Sequence, residues 1–249
     1  MNIPEELLKA LAGAKYVAVL TGAGVSAESG VKTFRDPDGL WAKFNPMELA
    51  SIDGFMSNPE LVWEWYRHRV EIASNVKPNP GHKAIAEMET IFPKFTLITQ
   101  NVDRLHHRAG SKKVYELHGN IVENKCFECG EPFHGNLDLP GKQVPACEKC
   151  GGKIRPCVVW FGEMLPYDAI TGGEAAAQEC DVFFSVGTSA EVYPAANLPI
   201  VAKQAGAFVV EVNPNPTAIS SYMDVCLHGP SGEVLPELLK KFKEYKGEK

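Results

Sequence analysis

Four cysteines form the strongest chemical pattern in this sequence, because they are arranged as two close pairs. Two residues separate Cys126 from Cys129 and Cys147 from Cys150, and 17 residues lie between the pairs. This spacing is typical of a zinc ion held tetrahedrally by four thiolates. Because the protein would supply all four ligands, such a zinc would be structural. A redox-active cysteine pair is the alternative interpretation.

A glycine-rich turn follows the apolar run Tyr16–Thr21. Gly22 and Gly24, with Ala27 three residues later, match the fingerprint in which backbone amides approach a pyrophosphate at a helix start. A dehydrogenase would also carry an acidic residue at the end of a second strand, about 20 residues on. This sequence has a loop at residues 32–41 instead. The pattern therefore predicts a dinucleotide but argues against hydride transfer, and a tight turn without a ligand is the alternative.

Polar side chains end two further apolar runs. Gln100, Asn101 and Asp103 follow the run Lys94–Thr99, where they would suit an amide or a ribose. His118 follows the apolar run at 114–117 and precedes Gly119, and a histidine at this position could act as a general base. Read separately, a segment such as 99–103 is more often a polar turn, and a lone histidine at the end of a strand is more often structural.

Composition limits the class of protein. The chain has 249 residues, 45% of them hydrophobic, with 25 basic and 31 acidic side chains and a net charge of −6. This excludes a disordered chain and argues against a broad nucleic-acid surface. Seven cysteines, an odd number, argue against a disulfide framework. No apolar run reaches 18 residues and the start lacks a signal-peptide pattern, so a cytoplasmic location is expected.

The elements that must position these residues alternate between apolar strands and amphipathic helices. This alternation predicts an α/β fold with a mostly parallel sheet covered on both faces. Strands are expected at 16–21, 94–99, 114–117, 158–161, 181–186 and 207–212, and helices at 4–11, 59–75, 81–91, 167–179, 194–205 and 233–245. Ligands of such sheets bind beyond the carboxyl ends of the strands. Residues 123–155 have few large aliphatic side chains and should form an insert without a core of its own.

In their order along the chain, the motifs closely resemble the sirtuin family of NAD-dependent protein-lysine deacylases. They are GAGVSAESG at 22–30, FRDPDGLW at 34–41, TQNVDRLH at 99–106, ELHG at 116–119, the four cysteines, VVWFGE at 158–163, GTS at 187–189 and VN at 212–213. The resemblance implies an inverted Rossmann-type parallel sheet with helices on both faces, plus a small zinc-ribbon module. The Rossmann-type domain would comprise 1–122 and 156–249, with a helical insert at about 42–78, and the zinc-binding module 123–155.

The resemblance also implies roles for individual residues. His118 would be the general base, Asn101 a second catalytic residue, and Val159 and Phe161 would bind the peptide as an added strand. NAD would be bound by Gly22, Ala23, Gly24, Ser26, Glu28, Phe34, Arg35, Trp41, Gln100, Asn101, Asp103, Gly187, Thr188, Ser189, Asn213, Asn215 and Ser231. The implied products are nicotinamide, O-acyl-ADP-ribose and free lysine. The expected partners are acylated lysine peptides or proteins, with no direct binding to nucleic acid or membrane.

Tyr66 and Arg69 indicate which acyl groups are removed. They lie three residues apart in a predicted helix and therefore share one face. In one sirtuin class a Tyr and an Arg at this spacing bind the carboxylate of succinyl- or malonyl-lysine, and an exposed Arg beside an interfacial Tyr is the alternative. Trp160 and Glu191 depart from the common pattern, in which smaller or aliphatic residues stand at these positions.

Three other functions are compatible with parts of the sequence. A zinc-ribbon binding module with a vestigial nucleotide site would bind a protein or nucleic acid without turnover. Transfer of ADP-ribose to protein would use the same family fold, and an NAD-dependent dehydrogenase would use the glycine turn. The presence of both Asn101 and His118 opposes the first, and the missing acidic residue opposes the last.

Overall fold

The structure is a computed structural model that describes residues 2–31, 45–137 and 143–247. Its helices are α1 (Glu5–Gly13), α2 (Gly24–Ala27), α3 (Pro46–Leu49), α4 (Ile52–Ser57), α5 (Pro59–Asn75), α6 (Pro80–Ile91), α7 (Leu105–Ala109), α8 (Tyr167–Glu179), α9 (Leu198–Gln204) and α10 (Ser231–Lys246). Its strands are β1 (Tyr16–Thr21), β2 (Lys94–Thr99), β3 (Val114–Glu116), β4 (Gly119–Cys126), β5 (Pro132–Phe133), β6 (Ile154–Val158), β7 (Val182–Val186), β8 (Phe208–Asn213) and β9 (Val225–His228).

Six strands form one parallel sheet in the order β3-β2-β1-β7-β8-β9. Alternate residues of β1 enter two separate cores. Val17 and Val19 pack with α1, α6 and α10, whereas Ala18 and Leu20 pack with α8 and α9. Both sheet faces are therefore covered by helices, which confirms the predicted Rossmann-type class. Because the strands are parallel, the loops after β1, β2, β7 and β8 meet at one edge of the sheet.

The cysteine pairs lie at one end of a second sheet, in which Cys126 is the last residue of β4; its strand order is β5-β4-β6 and its pairing is antiparallel. Its apolar cluster contains Cys126, Cys147 and Ile154, together with Trp63 from α5. The zinc-ribbon segment thus buries its few apolar side chains against the helical region that precedes β2.

A third apolar cluster joins this second sheet to α4 and α5. Phe55, Tyr66 and Trp160 are fully or almost fully buried there. Helix α5 begins at Pro59, where the side chain of Asn58 accepts a hydrogen bond from the amide of Leu61 at 3.1 Å. This capping fixes where α5 begins and thereby sets which residues face the junction.

The strand predicted at 158–161 was wrong in its boundaries, because β6 ends at Val158. Beyond that residue the chain leaves the sheet: the amide of Val159 donates to the carbonyl of His118 at 2.9 Å, and that of Phe161 to Ala50 at 2.8 Å. The helix predicted at 194–205 is also divided, into a 3₁₀ turn at Ala195–Asn197 and α9.

Candidate functional site

Three glycines bring the loops after β1 and β7 into contact. The amide of Gly24 donates to the carbonyl of Gly187 at 2.8 Å. A Cβ atom at Gly22 would lie 2.8 Å from the same carbonyl oxygen, and Gly187 itself has a φ of +60°. Side chains would therefore push these loops apart. The amides of Ala23, Thr188 and Ser189 have no acceptor among the described residues, so this edge offers donors that suit a pyrophosphate.

Asn101 is held by the glycine turn. Its Nδ2 donates to the carbonyl of Gly22 at 3.0 Å and to Oγ of Ser26 at 3.2 Å. Ser26 in turn donates to Oδ2 of Asp103 at 2.7 Å. The structure thus brings Gly22, Ser26, Asn101 and Asp103 into one group, of which Ser26, Asn101 and Asp103 are buried.

Next to this group lie two buried histidines, His82 and His106, that no sequence motif had placed in the site. His82 faces Ser26 at 3.4 Å, and His106 Nε2 lies 2.9 Å from the hydroxyl of Thr21. Their ring centroids are 4.8 Å apart. Burial lowers the pKa of His82 to about 4, opposed by the charge of Asp103, and burial also places the pKa of His106 well below its ordinary value. Both rings are therefore neutral near pH 7.

Thr21 and Thr99 connect His106 to Asn101 through hydrogen bonds. The Thr21 hydroxyl donates to Thr99 Oγ1 at 2.8 Å, and Thr99 Oγ1 accepts the amide of Asn101 at 3.1 Å. One sequence signal indicates where His82 lies: Asn79 and Pro80 are typical of a helix start, which places His82 in the first turn of α6. In the structure the Asn79 side chain accepts a hydrogen bond from the amide of His82 at 3.2 Å. The pairing of Thr21 with His106 spans 85 residues and had no such signal.

His118 lies beside the same polar group. Its Nδ1 is 3.0 Å from the backbone carbonyl of Gln100, and Gln100 Nε2 donates to Oγ1 of Thr188 at 3.1 Å. The carbonyl can only accept, so Nδ1 carries the proton and Nε2 is the basic nitrogen. Burial lowers the pKa of His118 below its ordinary value, although the bond to Gln100 opposes the shift. A neutral histidine with one anchored nitrogen is suited to general-base catalysis.

Four other residues that were predicted to bind NAD form two separate groups. Asn213 Nδ2 donates to the carbonyl of Asn215 at 3.2 Å after β8. Glu28 lies at the start of α10, where its Oε2 accepts the amide of Gly232 at 2.7 Å and faces Oγ of Ser231 at 3.5 Å. In this arrangement the exposed Glu28 caps α10 and ties it to the glycine turn.

Tyr66 and Arg69 share one face of α5, as their spacing predicted. The Arg69 guanidinium lies 4.8 Å from the ring centroid of Trp65 and 5.9 Å from that of Tyr66. Burial lowers the pKa of Arg69, which remains cationic, and raises the pKa of Tyr66 to about 12. The pair is thus a partly desolvated cation beside a neutral phenol.

The four cysteine sulfurs converge as the spacing predicted. They all lie within 4.8 Å of one another, with Cys126 and Cys150 at 3.5 Å and Cys129 and Cys147 at 3.8 Å. A tetrahedral zinc with bonds of about 2.3 Å requires sulfurs about 3.8 Å apart, whereas a disulfide needs about 2.05 Å. The cluster therefore fits one structural zinc.

Each half of the cluster is closed by a tight turn. The amide of Gly130 donates to the carbonyl of Cys126 at 3.1 Å, and that of Gly151 to Cys147 at 2.8 Å. Both glycines have a positive φ, of +73° and +75°.

The remaining predicted NAD residues, Phe34, Arg35 and Trp41, lie outside the described residues. Among the residues that are described, no helix is both long and apolar enough to cross a membrane.

Comparison with known proteins gives one consistent result. The model of the Sir2 family matches residues 22–194. The NAD-dependent protein deacylase of Aquifex aeolicus is 52% identical over 234 residues, covering 94% of this chain and 98% of that protein. NAD-dependent protein deacylase 2 of Pyrobaculum aerophilum is 51% identical, covering 94% and 93%.

Solved structures agree with the sequence comparisons. A Sir2 homologue in complex with NAD superposes with a TM-score of 0.92 at 45% identity, covering 98% of this chain and 95% of that one. A complex of Sir2 with a p53 peptide and NAD⁺ superposes with a TM-score of 0.87 at 33% identity, covering 97% and 98%. The family match spans well over half of the sequence, and the chain therefore belongs to the Sir2 family of NAD-dependent enzymes.

Proposed function

We propose that this protein removes acetyl, succinyl and malonyl groups from protein lysines in an NAD-dependent reaction that yields nicotinamide, O-acyl-ADP-ribose and free lysine. The observation that carries the proposal is the placement of His118. Its Nδ1 is anchored on the Gln100 carbonyl, while Nε2 has no partner among the described residues. Gln100 follows β2 directly and bonds to Thr188 after β7, so the proposed base is attached to the edge where a parallel sheet binds its ligand.

NAD would lie along this edge. The amides of Ala23, Thr188 and Ser189 would bind the pyrophosphate, with Gly22, Gly24 and Gly187 allowing its approach. Gln100, Asn101, Asp103 and Ser26 would bind or position the nicotinamide ribose, with Phe34, Arg35 and Trp41. Asn213, Asn215 and Ser231 would lie towards the adenosine, and Glu28 would belong to the first NAD loop. Bound NAD supplies an electrophilic ribose carbon from which nicotinamide can leave.

The chain's own contribution to the chemistry is proton transfer and positioning. His118 is neutral at pH 7 because burial lowers its pKa, so Nε2 can accept a proton from a ribose hydroxyl. The Gln100 carbonyl holds the ring in the tautomer that this step requires. Asn101 is fixed by Gly22 and Ser26, and its Oδ1 has no donor among the described residues. That oxygen would accept a hydrogen bond from the ligand.

The acylated peptide would bind along residues 159–161. The amides of Val159 and Phe161 already donate within the protein. A peptide strand added here would therefore donate its own N–H groups to carbonyl oxygens of this segment. The side chain of Phe161 is 47% exposed and could contact the lysine stem.

The acyl-group proposal rests on Tyr66 and Arg69. A half-buried guanidinium binds a carboxylate more strongly than an exposed one, because little water competes. A terminal carboxylate distinguishes succinyl and malonyl groups from acetyl. In the proposed pocket Arg69 would pair with this carboxylate and the Tyr66 hydroxyl would donate to it.

One assay tests both the NAD-dependent deacylation and the choice of acyl group. NAD is incubated with acetyl-, succinyl- or malonyl-lysine peptides, and nicotinamide and deacylated peptide are measured. Peptide-dependent release of nicotinamide with matching deacylated product supports the proposal. Nicotinamide release with ADP-ribose attached to protein would instead indicate ADP-ribosyl transfer, and ligand binding without turnover would indicate a binding module.

Arg69→Met tests the acyl pocket. Methionine keeps much of the stem of arginine but removes its charge, so the ratio of kcat/KM for succinyl over acetyl peptide should fall at least tenfold. Equal losses with both peptides would contradict the assignment of Arg69 to the acyl group. Arg67→Met on the exposed face of the same helix is the matched control and should leave the ratio unchanged.

A further inference from the structure

Trp160 makes a buried hydrogen bond to the tyrosine of the proposed acyl pocket. Its indole Nε1 donates to the Tyr66 hydroxyl oxygen at 2.9 Å. Both side chains are 2% exposed. The bond joins the segment after β6 to α5, across 94 residues of sequence.

The direction of this bond is fixed by chemistry. An indole N–H can only donate, so the Tyr66 oxygen must be the acceptor and its own proton must point elsewhere. Within the described ranges, no acceptor receives that proton. The neighbouring charge is the Arg69 guanidinium, which has no acceptor atoms either. The Tyr66 hydroxyl thus presents a donor, beside the Arg69 charge, that an anionic oxygen would satisfy.

Arg155 and Glu163 hold the indole in this position. The Arg155 guanidinium lies 3.3 Å from the ring centroid of Trp160, and its Nη2 donates to Glu163 Oε2 at 3.0 Å. The same Glu163 oxygen accepts the backbone amide of Trp160 at 2.8 Å. The Arg155 side chain is 3% exposed. This fixed arrangement leaves the indole little freedom to rotate away from Tyr66.

We propose that Trp160 is a specificity-determining residue that orients the Tyr66 hydroxyl proton towards the terminal carboxylate of the acyl group. By accepting the indole proton, Tyr66 becomes a pre-oriented donor and favours succinyl and malonyl over acetyl groups. This inference rests on the acyl pocket proposed above. It also gives a role to the tryptophan that departs from the common family pattern.

A packing role for Trp160 makes a different prediction. Its ring lies 5.2 Å from that of Phe55 and 6.4 Å from that of Tyr66, so it also fills the junction between α4, α5 and β6. If packing were its whole contribution, replacement by another aromatic ring would change both activities alike or neither.

Trp160→Phe separates these roles, because it keeps an aromatic ring beneath Arg155 and removes the N–H donor. The expected result is a two- to tenfold fall in the ratio of kcat/KM for succinyl over acetyl peptide, the range of a single hydrogen bond of about 0.5–1.5 kcal/mol. Trp63→Phe is the matched control, because Trp63 Nε1 has no acceptor among the described residues. That variant should leave the ratio unchanged.

A double-mutant cycle identifies the partner. In a Tyr66→Phe background no hydroxyl remains to be oriented, so adding Trp160→Phe should not lower the ratio further. The inference would be overturned if Trp160→Phe left the succinyl-to-acetyl ratio unchanged. It would also be overturned if the double variant showed the product of the two single-variant effects on that ratio. Zinc content and the denaturation midpoint verify that each variant is folded.

The same measurements separate failure of the inference from failure of the proposed function. If Arg69→Met lowers the ratio and Trp160→Phe does not, the acyl pocket stands and the role of Trp160 is refuted. If the wild-type protein deacetylates but does not act on succinyl or malonyl peptides, the acyl pocket is refuted and the role of Trp160 with it.

Discussion

The buried histidines behind Asn101 should make the stability of this protein fall as the pH is lowered. His82 is fully buried, and its pKa is lowered to about 4 by burial. In the unfolded chain a histidine titrates at about 6.5. Between these two values the unfolded state binds more protons than the folded state, so stability decreases with decreasing pH.

The size of this effect follows from the two pKa values of His82. Linkage with about 6.5 unfolded and about 4 folded gives a loss of about 1.4 kcal/mol between pH 7.5 and 5.5, and about 3.4 kcal/mol once the pH is well below 4. His106 contributes with the same sign, because its pKa is also lowered by burial. The contribution of the neutral, buried histidines to stability is fully present only above about pH 6.5 and is lost as the pH falls towards 4.

The measurement is chemical denaturation at pH 7.5, 6.5 and 5.5 for the wild type and His82→Gln. Glutamine can still hydrogen-bond but does not titrate, so the variant should lose about 1.4 kcal/mol less over this range. His68→Gln is the matched control, because the His68 side chain is 69% exposed. Loss of zinc at low pH affects all three proteins and cancels in the comparison.

The result that would refute this reasoning is a constant difference between the wild type and His82→Gln. If their free energies of unfolding stay parallel to within about 0.5 kcal/mol from pH 7.5 to 5.5, His82 is not held neutral by burial. A reduced slope in His68→Gln would equally show that the pH dependence has another source.

Four further outcomes follow from the proposed site and the cysteine cluster. The acid limb of kcat/KM should have its midpoint below pH 6.5, because burial lowers the pKa of the proposed base His118. His118→Tyr should abolish product with zinc still bound, and retained turnover would refute the proposed role of His118. Cys129→Ser should purify with less than one equivalent of zinc by elemental analysis, whereas a full equivalent would contradict a four-thiolate site. Gly187→Ala should lower the free energy of unfolding by about 2 kcal/mol or more, measured by denaturation, and weaken NAD binding, measured by calorimetry. The reason is that the added Cβ would lie 2.5 Å from the amide nitrogen of Val25, at a residue whose φ is +60°.

The sequence predicted those elements whose signals are local. The bounds of β1, β2, α5 and α8 agree with the predicted ranges at both ends. Each is either an apolar run ended by polar or glycine residues or a helix with a clear capping or breaking residue. The convergence of the four cysteines was likewise predictable, since their spacing alone defines the turns that form the cluster.

The parts that could not be predicted depend on distant residues. Val159–Phe161 looks like a strand because it is apolar, yet the amide of Phe161 bonds to Ala50, 111 positions earlier. His82 has the local partner Asn79, but its contact with Ser26 spans 56 residues, and the contact of His106 with Thr21 spans 85. Neither interaction leaves a periodic pattern, so only the folded chain reveals that these polar side chains are buried and paired.

Three buried or half-buried polar residues of the proposed site share one arrangement. His118, Asn101 and Tyr66 each use one atom for an internal hydrogen bond, to Gln100, Gly22 and Trp160 respectively. In each case the opposite atom, Nε2, Oδ1 or the hydroxyl proton, has no partner within the described part of the chain. The internal bond lowers the cost of burying the group and fixes its direction. The remaining atom can then meet a ligand without further reorganisation, which is the condition under which a polar contact contributes most to catalysis and specificity.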